Sequence, residues 1–152
     1  MKKIVIALAL IGAIMSCKSY NQAEPAVENT AEEISFETAK NYFFKNNQEI
    51  PANPKITDSL QFANLFGMAT VMGENGKPTP IDFNSQFAVA VVLPVTDMST
   101  EILPQTVVMQ NDTLRYTYEV EVGDKQSFSI RPLSIIILDK KYESIPLVMN
   151  QK

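Results

Sequence analysis

Histidine and tryptophan are absent from this chain of 152 residues, and cysteine occurs once. Without histidine the chain lacks the commonest general base, the Ser-His and Cys-His nucleophile pairs, and the commonest metal ligand. Chemistry carried by carboxylates alone stays open to it, so an enzyme ranks third, behind a binding module and a structural component. A lone cysteine permits no internal disulfide, so stability must come from a packed core. The five glycines never take the G-x-G-x-x-G or P-loop spacing, and no serine sits in a G-x-S-x-G elbow. Asp82, Asp97, Asp112, Asp124 and Asp139 are spread along the chain. Four of them fall at turns or strand ends, where aspartate bonds its own backbone; no metal cluster is expected.

The N-terminus is rich where the rest is sparse. Lys2 and Lys3 precede a 12-residue apolar run, Ile4 to Met15, which ends at Ser16-Cys17. That is the layout of a secretion signal. The run is too short to cross ~30 Å of hydrocarbon as a helix. Ile14-Met15-Ser16-Cys17 resembles the lipobox of bacterial lipoproteins. The resemblance implies cleavage after Ser16, a covalent lipid on Cys17 and no other cofactor. It places the protein on the bacterial cell envelope, with the outer membrane as the expected site, on its periplasmic or surface face.

Cleavage there divides the chain into a signal peptide (1–16), the lipidated cysteine with a flexible tether (17–33) and a single domain (34–152). The tether is polar and has almost no large apolar residue to build a core. The mature chain keeps 11 basic residues against 17 acidic ones, a net charge of −6. Such a chain repels phosphate backbones, so nucleic acid is not an expected partner. The membrane, reached through the lipid, and an envelope protein are.

Beyond Ile34 the pattern is mostly β. Ser35 to Lys40 could form one helical turn, and Asn41 to Asn46 a short strand. Thr57 reads as a helix N-cap, with Asp58 in the first turn and Gly67 as the stop. Leu60, Ala63 and Phe66 would share the inward face of that helix, about 57–66, with Met68 and Met72 filling gaps beside it. Glu74 to Pro80 is turn-rich around Asn75-Gly76. Phe87 to Leu93 is a continuous apolar run, suited to a strand buried on both faces. Ile102 to Met109 is a second strand, interrupted by Pro104. Gln110 to Thr113 is a tight turn. In Leu114 to Val122 the residues alternate, with Arg115, Thr117, Glu119 and Glu121 on the wet face. Gly123-Asp124 should turn the chain, Gln126 to Ile130 return it, and Arg131-Pro132 break the pairing. Leu133 to Leu138 and Ile145 to Met149 complete the strands. The fold class is therefore α+β: a mainly antiparallel meander forming a small sandwich or half-open barrel, with one short helix.

Two places are candidates for binding a partner. The stretch Pro94 to Thr100 reads as a loop between two strong strands, with polar Thr96, Asp97 and Ser99 around Met98, a polarizable side chain suited to adaptable surfaces. Arg131 is one of only two arginines. It is either a ligand anchor or half of an ion pair with Asp139 or Glu119.

Part of the pattern resembles the PrcB-like domain and related extracytoplasmic lipoproteins. The matching pieces are Leu65-Phe66-Gly67, Ile81-Asp82-Phe83, Phe87 to Leu93, Leu114 to Ile130 and Ile135 to Lys141. The resemblance implies a domain that binds proteases and modulates them. In place of that family's glycine- and tyrosine-bearing loop, this chain has Pro94 to Thr100.

Replacing the only thiol tests the anchor. Cys17→Ser is expected to abolish labelling by a clickable fatty acid in cells and to leave precursor or soluble protein; unchanged labelling would end the lipoprotein reading.

Overall fold

A computed structural model of the chain describes residues 31–69, 72–73 and 76–152. Cys17, the signal segment, the tether up to Thr30 and Asn75 of the predicted turn lie outside the described residues.

The strongest apolar run becomes β6 (Gln86–Val92), paired antiparallel along its whole length with β9 (Leu133–Asp139). Successive side chains point to opposite faces, so each strand feeds two cores. Phe87, Val89, Val91, Ile136 and Leu138 face one; Ala88, Ala90, Ile135 and Ile137 face the other. Short β2 (Glu37–Ala39) and β4 (Lys55–Ile56) complete this sheet in the order β2-β9-β6-β4. Ser35 to Lys40, expected as a helical turn, is instead this edge strand. Thr38 pairs with Ile136, and Ala39 reaches the core.

The first face is covered by a second sheet, ordered β1-β7-β8-β10. Its body is a hairpin of two long strands, β7 (Thr96–Gln110) and β8 (Thr113–Ile130). Asn111 and Asp112 turn it with φ of 51° and 52°, the paired positive values a two-residue hairpin loop favours. β1 (Glu32–Glu33) adds to β7, so the last two tether residues join the sheet. β10 (Leu147–Gln151) runs parallel to β8, which breaks the meander expected from the sequence. Leu114, Tyr116, Val107 and Ile102 meet the central sheet.

The second face carries α1 (Ser59–Leu65) and a small ladder of β3 (Tyr42–Phe44) with β5 (Phe66–Met68). The helix differs from expectation in three ways. Asp58, not Thr57, is its N-cap, and its carboxylate accepts the Gln61 N–H at 2.8 Å. Its buried face is set by Phe62, while Leu60 is 70% exposed. The chain leaves the helix as extended backbone at Phe66, so Gly67 is a strand residue rather than a helix stop. Glycine is needed there because the Phe43 ring lies across it. A Cβ at 67 would fall 2.2 Å from that ring. Met68 and Met72 are exposed, not core fillers. Among the described residues this is an α+β fold of two open sheets, with a single short α-helix on the outer face of the central one.

Gly123-Asp124 does not turn the chain. β8 continues past it to Ile130, with a bulge there, because β7 continues beside it as far as Thr96.

Tyr116 sits at the centre of the first core, fully buried, and its hydroxyl has no hydrogen-bond partner. Burial pushes the phenol up to about 12, with the nearby Ser134 side chain pulling the other way. The folded state thus keeps it neutral where the unfolded chain, with an ordinary value of 10.0, begins to ionise. Stability tied to this group is complete below pH 10 and is lost as pH rises toward 12. Tyr116→Phe removes a buried hydroxyl on which the Ser134 side chain acts but with which it forms no hydrogen bond of normal geometry. It is expected to raise stability by about 1 kcal/mol at neutral pH and to flatten the alkaline decline, both read from urea unfolding at pH 7 and pH 11.

Candidate functional site

The segment expected as a partner-binding loop is mostly strand. Only Leu93 to Val95 lack regular structure, and β7 begins at Thr96. The ladder draws these residues in, but unevenly. Thr96 pairs with Ile130 and Met98 with Lys125, so four residues of β8, 126–129, stand against Asp97 alone. The irregularity is held locally. The Met98 N–H donates to Thr96 Oγ1 at 3.1 Å, and the Thr100 hydroxyl donates to the Met98 carbonyl at 3.2 Å. Asp97 forms an ion pair with Lys125 at 2.9 Å. Both side chains are well exposed, so the pair contributes at most about 1 kcal/mol. Ser99 is exposed.

Arg131 does not join that group. It follows Ile130, the partner of Thr96, but its guanidinium lies 5.3 Å over the Phe44 ring, in the outer aromatic layer. Among the described residues it makes no ion pair, so Asp139 and Glu119 are not its partners. Asp139 instead accepts the Lys141 N–H at 2.9 Å. A cation stacked on an aromatic face, with a buried Nε lacking a partner, reads as a packing device for the β9 entry.

What the sequence pattern missed is the open edge beside this segment. β10 covers β8 only over 114–118. From Glu119 to Lys125 the outer edge of β8 has no strand partner among the described residues, and 121–125 are exposed. The two faces of this ribbon differ. On the outer face Glu101 lies directly opposite Glu121, and Glu119 is opposite Leu103. No ion pair relieves those glutamates among the described residues. On the inner face Val120 and Val122 join Leu93, Pro94, Val95 and Thr96 around an apolar cleft of about 250 Å³. Val95 and Val122 are more than half exposed. The alternation through Glu121 could have signalled the acidic face. Nothing in the sequence could signal that the edge beside it stays unpaired.

The other aspartates do structural work. Asp82 accepts the Ser85 hydroxyl at 2.8 Å and the Asn84 N–H at 3.0 Å. Those bonds hold its carboxyl below the usual carboxylate range, the Ser85 bond most of all. Asp112 occupies the hairpin turn. Among the described residues, no group of three or more acidic or cysteine side chains converges as a metal site would.

Like charges directly across an antiparallel ladder are destabilising. Glu101→Lys converts the Glu101–Glu121 pair to an attractive one. It is expected to raise stability by about 0.5–1 kcal/mol, a thermal midpoint higher by a few degrees. A midpoint that is unchanged or lower would show that the two carboxylates do not feel each other.

In comparisons with known proteins, the chain matches no family model, no curated protein and no solved structure.

Proposed function

We propose that this chain is a lipid-anchored binding module of the bacterial envelope that takes an extended segment of a partner protein along the outer edge of β8. The observation that carries the reading is the free edge from Glu119 to Lys125, with unlike chemistry on its two faces. A strand added there would gain main-chain hydrogen bonds from the edge and specificity from alternate side chains. One set would lie over Glu101, Glu119 and Glu121, which suits lysine or arginine. The other would enter the cleft around Val120 and Val122, which suits a small apolar residue. The partner segment is therefore extended, with basic and apolar residues alternating. Thr96 lines the cleft and Asp97 to Ser99 flank the ribbon, so the sequence-selected residues shape the site from its side.

The lipobox resemblance supports the anchor, and the PrcB-like resemblance supports a protein as the partner. A protease in that role rests on the resemblance alone. A long exposed edge is a hazard that proteins usually block. Other edges here are so treated: β4 has two residues, and the outer edge of β7, which β1 covers only at Val108 and Met109, bears Pro104 with an extra residue beside it. The Glu119–Lys125 edge carries a bulge at Gly123-Asp124 and, before it, the charge of Glu119 and Glu121, which repels copies of itself and admits a basic strand.

The test uses a labelled peptide of alternating lysine and valine, titrated into the full chain by fluorescence anisotropy. Binding should weaken as salt rises. Adjacent strand residues point their N–H groups to opposite sides, so of Glu121→Pro and Val122→Pro one removes an outward donor. That variant should lose the peptide while Glu119→Lys weakens it. Equal binding by wild type, both proline variants and Glu119→Lys would sink the proposal, as would no binding at millimolar peptide.

A further inference from the structure

On the far side of the central sheet, away from the β7–β8 ribbon, lies a cavity of about 430 Å³. Its walls come from four separate segments. β3 supplies Tyr42, α1 supplies Phe62 and Ala63, and the loop before β6 supplies Phe83; Phe66 and Met68 follow from β5. The volume falls within the range of small-molecule sites, which are mostly apolar with few polar groups.

The rings are arranged around Phe62. Tyr42 meets it edge-on, with centroids 5.1 Å apart and planes at 90°. Phe66 and Phe83 lie tilted against it at 4.8 Å and 5.5 Å. Phe62 and Phe66 are buried, so this cluster is fixed by the second core rather than free to collapse into the void. The Tyr42 hydroxyl donates to the Thr79 carbonyl at 2.6 Å, which orients its ring. Met68 is 70% exposed, and as a polarizable side chain it can adapt to an occupant.

We propose that this cavity binds a small uncharged aromatic molecule of two or three rings. Among the described residues no charged side chain lines it, so none of them offsets the burial of a carboxylate or an ammonium group. Ring edges and faces in offset and perpendicular geometry gain from a further ring at the same spacing, beyond the area it buries. A saturated chain would gain only the area. The cavity and the ribbon lie on opposite faces of the β6–β9 ladder, so the two proposals stand or fall separately.

The probe is N-phenyl-1-naphthylamine, an uncharged aromatic dye that is dark in water, titrated into the full chain. The chain has no tryptophan, so excitation of the dye meets little background. A saturable one-to-one rise with a blue-shifted maximum is expected. Ala63 and Ser59 are both exposed lining residues on the helix. Ala63→Phe should place a ring in the void and lower the affinity at least tenfold, with far-ultraviolet circular dichroism and thermal midpoint unchanged. Ser59→Phe, from a different position on the wall, should do the same and serves if Ala63→Phe fails to fold. 2-Naphthol should displace the dye, and 1-decanol should do so at least tenfold less well. Absence of saturable binding, undiminished binding in the folded variants, or equal displacement by decanol would each overturn the proposal.

Discussion

The structure depends on one ladder. β6 and β9 pair over seven residues, and their side chains alternate between two cores. Full burial of an aliphatic or aromatic side chain stabilises by about 1.5–3 kcal/mol, and these two strands supply nine buried apolar side chains. Neither outer layer could stand without them. The β7–β8 hairpin has one apolar face only, and α1 has seven residues, too few to persist alone in water. Each borrows its stability from the face it covers.

The hairpin is longer than the sheet it covers, and the open edge follows from that. Near the Asn111-Asp112 turn, Leu114, Tyr116 and Val107 lie in the core. Toward the other end the same inward face loses its cover, until Val122 is mostly exposed. Its flanking strands stop early as well, β1 at Glu33 and β10 at Gln151 opposite Tyr118. A ribbon with an exposed edge, an apolar underside and unpaired glutamates above is less stable than it could be. Stability given up at a defined place is what a binding surface commonly exacts.

The second layer solves a different packing problem. A small ladder and a short helix must cover Ala88, Ala90, Ile135 and Ile137, and they do so with rings. Phe44, Phe62 and Phe66 fill the space above the two alanines, Phe43 folds over Gly67, and the Arg131 guanidinium stacks on Phe44. Large rigid groups over small ones leave a concavity where Tyr42, Phe62 and Phe83 fail to close.

The sequence by itself determined the two central strands, the hairpin turn, the wet face of β8 and the existence and place of the helix. Each rests on a local signal: an unbroken apolar run, positive-φ residues, strict alternation, a capping side chain. Tertiary structure decided the rest. Ile102 and Val107 are both buried on one face, yet they lie five positions apart, so plain alternation would put them on opposite faces. An extra residue beside Pro104, where the ladder register shifts, restores the phase. Gly123-Asp124 has turn chemistry, but β7 lies alongside and its hydrogen bonds keep the strand going. Thr96 to Ser99 has loop composition and is strand for the same reason. Phe62 rather than Leu60 faces inward because the core above Ala88 and Ala90 has room for a ring at that place. The free edge of β8 and the cavity around Phe62 are relations between segments distant in the chain. Local periodicity carries no record of where a neighbouring strand ends, and so neither site could be read before the layers were assembled.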